Sequence, residues 1–150
     1  MSNRMVEYSD RRVWDLTGFT LEQLRLAYQL ELLFGGPESS KISSRAVPPS
    51  RSEVWVVIEP PLTLRIGTVS VQVVPEQAAS VAPVLPLIHR TAASLAAFRN
   101  GTLRLTFEDG SEIEVLPHEQ YESWHTYGTE EYVGIVMECT PHEGAPWYEG

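Results

Sequence analysis

The sequence predicts a mainly β domain, α+β at most: an antiparallel β-sandwich or bent barrel-like sheet with two related β units and one short helix. Three observations predict it. Apolar residues alternate between turn residues from Ala92 to Leu116, and a similar alternation runs from Leu24 to Phe34. Glu76 to His89 offers one short helix, and Pro83 and Pro86 limit its length.

Thr20 to Phe34 is the first element. Thr20-Leu21-Glu22-Gln23 has the form of a capping box and its leucines partly fit helical spacing. Leu24, Leu26, Tyr28, Leu30, Leu32 and Phe34 nevertheless occupy alternate positions, so β is favoured. Gly35 to Arg51, rich in Ser and Pro, reads as a mobile surface loop. Further strands are expected at Val54–Ile58, Thr63–Ile66, Ser70–Val74 and Glu131–Cys139.

The clearest unit is a three-stranded meander. Asn100-Gly101 suits a two-residue type I′ turn, which would set Phe98 opposite Leu103 and Ala96 opposite Leu105. At the next turn a two-residue Asp109-Gly110 loop would put Phe107 against Glu112. A three-residue loop, Glu108-Asp109-Gly110 with Gly110 left-handed, instead pairs Leu105 with Ile113, Leu103 with Val115 and Arg104 with Glu114. The expected inner face is Ala96, Phe98, Leu103, Leu105, Phe107, Ile113 and Val115. An echo lies upstream: Leu30, Leu32 and Phe34 align with Leu103, Leu105 and Phe107, and residues 52–56 with 111–115, as in an internal duplication. Nothing in Ala27-Tyr28 matches the Asn-Gly turn.

Length and composition fit one domain over residues 1–150. The single cysteine, Cys139, excludes an internal disulfide and fits a reducing compartment. Met1 to Arg12 lacks the apolar core of a signal peptide and no run reaches membrane-span length, so the expectation is cytoplasmic and not membrane-bound. Charge is strongly segregated. Residues 107–150 hold eleven carboxylates and no Lys or Arg, so against a net charge of −9 the first 106 residues stand at about +2. Such acidity argues against direct nucleic-acid binding.

Catalytic and cofactor signatures are absent: the chain has no nucleophile elbow, phosphate loop, dinucleotide fingerprint or zincin motif. Cys139-Thr140-Pro141-His142 has zinc-ligand spacing, but a lone pair of this kind is outweighed by a packed cysteine and exposed histidines. No cofactor, metal or catalytic residue is assigned. The tail also carries Tyr121, Trp124, Tyr127, Tyr132, Trp147 and Tyr148 among its acids, a combination suited to an interface. For Trp124 and Tyr132 the core is the favoured destination.

Gly101 to Val115, followed by Tyr121-Glu122-Ser123-Trp124 and a closing segment near Trp147, resembles a family of small uncharacterised bacterial proteins common in actinobacteria. The shared pattern is strand, Asp-Gly turn, strand and Glu-x-Trp. It implies a fold and no catalytic residues. In size, acidity and single-domain character the chain is also similar in type to immunity proteins that neutralise bacterial toxins.

The functional expectation is therefore a non-catalytic, cytoplasmic protein-binding protein, an immunity protein in the favoured reading. Its partner would be a cognate toxin with a basic surface, met by Glu108, Asp109, Glu112, Glu114, Glu119, Tyr121 and Glu122. The alternative is a small-molecule-binding or enzymatic β domain with a pocket near Trp124, His125 and His142. The sequence fixes no oligomeric state.

Overall fold

The alternation of apolar and polar residues is realised as two antiparallel sheets in a computed structural model that describes residues 5–38, 51–117, 124–128, 137–138 and 148–149. In chain order the strands are β1 (Met5–Glu7), β2 (Arg11–Asp15), β3 (Thr20–Leu26), β4 (Leu30–Glu38), β5 (Arg51–Ile58), β6 (Leu62–Ile66) and β7 (Val69–Val73). After a 3₁₀ helix, Ala78–Leu87, come β8 (Ala92–Phe98), β9 (Leu103–Phe107), β10 (Glu112–Val115), β11 (Trp124–Gly128), β12 (Met137–Glu138) and β13 (Tyr148–Glu149). One sheet has the order β1-β2-β8-β9-β10-β6-β7, the other β13-β12-β11-β5-β4-β3.

The two inner faces share one core. Leu95, Leu105, Phe107 and Ile113 from the first sheet join Leu32, Phe34, Val56 and Ile58 from the second, and all are essentially inaccessible to water. Phe34 and Phe107 meet there with ring centroids 6.0 Å apart. The 3₁₀ helix adds Val81, Val84 and Leu87 to the core. Their spacing of three eclipses in a three-residue turn, so one edge of the helix is apolar. Mainly β, sandwich-like and with one helical segment, the molecule has the architecture its alternation predicts. Thr20–Phe34 is two strands and no helix.

Two local expectations are corrected. The Asn100-Gly101 turn is a three-residue loop closed between Phe98 and Thr102, with Gly101 at φ 100°. Asn100 stabilises it by accepting the Thr102 amide at 3.0 Å. The register accordingly pairs Ala97 with Leu103 and Leu95 with Leu105, so Leu95 and Ala97 face the core while Ala96 and Phe98 face outward. The second correction concerns the echo. Leu32 pairs with Val56 as Leu105 pairs with Ile113, so residues 54–58 correspond to 111–115 with a slip of two from the sequence alignment.

With that slip the duplication becomes a topological fact. β3-β4-β5 is a meander in one sheet, and β6-β7 cross to extend the other beyond β10; β8-β9-β10 is the second meander, and β11-β12 cross back beyond β5. The halves meet at a pseudo-two-fold axis through the antiparallel bridge between Thr20 and Thr91. Around it the Leu21 amide donates to Arg90 O at 3.0 Å and the Ala92 amide to Phe19 O at 2.7 Å, images of one another. Phe19 N–H to Leu16 O and Arg90 N–H to Leu87 O form a second matched pair, both 2.9 Å. Gly18 and His89 occupy equivalent places with φ of 91° and 79°.

The start and end of the expected 35–51 loop, Gly35–Glu38 and Arg51, extend β4 and β5. Its interior lies outside the described residues, as does most of the strand expected at Glu131–Cys139, of which Met137–Glu138 forms β12. No helix among the described residues is long and apolar enough to cross a membrane.

Candidate interaction surface

The hairpin from β9 to β10 positions four of the seven predicted partner-binding residues. Phe107 N–H donates to Ser111 O at 2.9 Å and Gly110 N–H to Phe107 O at 3.0 Å, which makes Glu108-Asp109-Gly110 the expected three-residue turn with Gly110 at φ 93°. Its predicted pairs, Leu105 with Ile113, Leu103 with Val115 and Arg104 with Glu114, are all formed. Glu108 and Asp109 are exposed at the tip. Glu112 and Glu114 project from β10 onto the outer face of the seven-stranded sheet, opposite the core side of Ile113 and Val115.

Arginines from the other part of the sequence meet these acids. Glu112 Oε2 lies 3.0 Å from Arg65 Nη1 on β6 and 3.4 Å from Arg104 Nε on β9. Arg104 Nη2 donates to Glu114 Oε2 at 2.8 Å, whereas its shielded Nε makes an ion pair without hydrogen-bond geometry. Arg90 Nη1 binds Asp109 Oδ2. The segregated charge of the sequence is therefore interleaved by strand pairing. Each such pair is partly exposed and contributes only about 0–1 kcal/mol, so its larger effect is to fix where the carboxylates point. Among the described residues, Oε1 of Glu112 and of Glu114 accepts no hydrogen bond.

The surroundings of Asp109 favour its ionised form. The Ser111 backbone amide, donating to Oδ1 at 2.9 Å, holds its carboxyl below the usual carboxylate range. Slight burial opposes this, and the Ser111 hydroxyl and the Arg90 guanidinium reinforce it.

Phe98, expected in the core, extends the surface. Its ring lies 4.8 Å from the Arg104 guanidinium and 5.8 Å from that of Arg11, which also stacks 4.3 Å over Tyr8. Tyr8, Arg11, Phe98, Arg104, Glu114, Glu112 and Arg65 thus form one continuous strip across the sheet. Sequence reasoning anticipated only the Arg104–Glu114 opposition. Arg65 and Arg11 reach the strip through strand order, and Arg90 reaches Asp109 from the segment between the 3₁₀ helix and β8; no local pattern signals either.

Glu119, Tyr121 and Glu122 lie outside the described residues, as do His118, Tyr132, Cys139 and His142. Trp124 is in the core, 2% exposed, and its indole N–H donates to Gly101 O at 2.8 Å, tying β11 to the β8–β9 turn of the opposite sheet. Being adjacent on a strand, His125 points to the other face, so these two residues do not line one pocket.

Fold and surface together define a mainly β, two-sheet protein with an ordered, charged sheet face. Residues 13–145 match the family described as "Family of unknown function (DUF6188)", and the chain belongs to that family. It matches no curated protein and no solved structure.

Proposed function

We propose that this chain is a non-catalytic protein-binding domain of the bacterial cytoplasm that receives a basic partner on the outer face of its seven-stranded sheet, around the β9–β10 hairpin. The partner class we favour is a toxin, neutralised by the chain as its cognate immunity protein. The observation that carries the reading is preorganisation. Glu108, Asp109, Glu112 and Glu114 lie on one rigid ribbon, and the arginine pairs fix the last three while leaving Oε1 of Glu112 and Glu114 available to an incoming Lys or Arg. Ordering fewer side chains on association lowers the entropic penalty of binding, and fixed negative charge accelerates encounter with a basic surface.

The pocket reading has less support, because Trp124 and His125 diverge onto opposite faces of β11. The test uses the product of the neighbouring gene, or the partner captured from the native cell, with the Glu108→Lys/Glu119→Lys/Glu122→Lys variant, which leaves the described arginine pairs intact. Association should slow by roughly tenfold or more at low salt, and its salt dependence should flatten. An unchanged association rate would remove this face from the interface.

A further inference from the structure

Four strands end the two sheets, and they are protected unequally. The outer edge of β3 is stitched to residues 89–92 by backbone hydrogen bonds at Thr20 and Leu21, and beyond them it carries a bulge and the charges of Glu22 and Arg25. β13 is two residues long, and β1 is three with Glu7 on it. The remaining end is β7, Val69-Ser70-Val71-Gln72-Val73, which has five residues and no charge. The uncharged run extends from Ile66 to Pro75. Natural edge strands are ordinarily blunted by charge, proline, bulges or shortness. β7 has none of these, and no hydrogen bond from any described residue reaches its outer edge.

The phase of that edge follows from the turn before it. Ile66 and Val69 close a two-residue turn, Gly67-Thr68, with Gly67 at φ 61°. The closing pair of such a hairpin is the hydrogen-bonded kind, so Val69, Val71 and Val73 direct their amides and carbonyls to β6. Ser70 and Gln72 direct theirs outward, and both residues are exposed. One position further along, the edge is sealed, because the Val74 amide donates to Ser80 Oγ at 2.8 Å. Four unpaired backbone groups remain, two on Ser70 and two on Gln72.

We propose that β7 is a self-association edge that pairs antiparallel with β7 of a second copy of this chain, about a two-fold axis at Val71. This register sets Ser70 against Gln72 of the second copy and satisfies all four groups. Val71 meets its own counterpart and Val69, 58% exposed, meets Val73 of the second copy. Val-Ser-Val-Gln-Val has the same apolar/polar order in both directions, which an isologous pairing needs. The run is neutral, so a chain of net charge −9 brings no like charges into opposition at the seam. The fold already uses this contact once. In the second half the strand equivalent to β7 is β12, and its outer edge carries β13, laid antiparallel.

The whole chain serves for the test, by sedimentation velocity from ~10 µM to ~1 mM, the range in which a small interface associates. A dimer fraction that rises with concentration is expected. Hydrogen exchange should show the Ser70 and Gln72 amides slowing as concentration rises, while the Val71 amide, already bonded to β6, stays constant. Val69→Lys and Gln72→Pro should each weaken association at least tenfold; the lysine reduces the magnitude of the net negative charge, so its effect cannot come from greater overall repulsion. Val69→Lys lies on an exposed position and keeps the test decisive even if the proline variant fails to fold. A monomer throughout the range, or a dimer indifferent to Val69→Lys, overturns the proposal. Neither result decides the partner-binding reading, which is centred on the β9–β10 hairpin, separated from β7 by β6, and is read by association rate with the basic partner instead.

Discussion

Asp109 joins local backbone chemistry to the charge of the distant chain. Its carboxylate accepts the Ser111 amide and faces Arg90, so the folded state favours the ionised form. Folded Asp109 therefore binds a proton less readily than unfolded Asp109, and stability rises with pH wherever the unfolded chain holds more protons. The contribution is fully present above the ordinary aspartate range and is lost as pH falls through the depressed folded value. Asp109→Asn keeps an acceptor for Ser111 but removes the charge. Urea midpoints measured from about pH 6 down to about pH 2 should show the wild type more stable at the upper end, with the difference closing toward the lower end. A difference independent of pH would mean that the charge contributes nothing. At Glu112 and Glu114 the same logic is spatial: without Arg65 and Arg104 these neighbours on one sheet face would only repel.

The turns show how far local sequence determines an element. Both turns of the second meander place Gly in the left-handed region at the third loop position, Gly101 at φ 100° and Gly110 at φ 93°. Gly110→Ala would put a Cβ into open space, with no atom within 4 Å, so its effect comes from backbone conformation alone. We expect about 1 kcal/mol of destabilisation by chemical denaturation, and a smaller loss for Gly110→Asn, since asparagine tolerates φ above zero. Equal losses for Ala and Asn would point to another cause. The three-residue Glu108-Asp109-Gly110 loop was legible because the alternative set Phe107 against Glu112. At Asn100-Gly101 both registers offered apolar pairs, so alternation could not choose between them, and the structure takes the longer loop that places Leu95 and Ala97 in the core. Thr20–Phe34 was legible as β for the opposite reason: six alternate apolar or aromatic residues outweigh one capping-box pattern.

At the scale of the molecule, the sequence carried the repeat but not the exchange of strands. Similarity between residues 30–34 and 103–107 signals related units; which sheet β6 or β11 joins is set by long-range pairing that leaves no periodic trace. Pairing across the halves also explains why the arginines of the interaction strip were invisible as a group. Arg65 lies on β6, which unit one contributes to the sheet of unit two. This topology makes the halves interdependent. A fragment ending near Pro75 would keep β3-β4-β5 without β11 beside β5, and β6-β7 without β10 to extend. Its complement would keep β8-β9-β10 without β6, and both would expose half of the shared core around Phe34 and Phe107. Neither half should fold alone, since each loses both a paired edge and the opposing apolar layer that a sheet needs. Mixed at equal concentration, residues 1–75 and 76–150 should recover the circular dichroism and amide spectrum of the intact chain, because the pairings that join the halves do not require the covalent link at Pro75–Glu76. Independent folding of either fragment would show that the crossing strands are accessory. Failure to recover structure on mixing would show that the link itself organises the exchange.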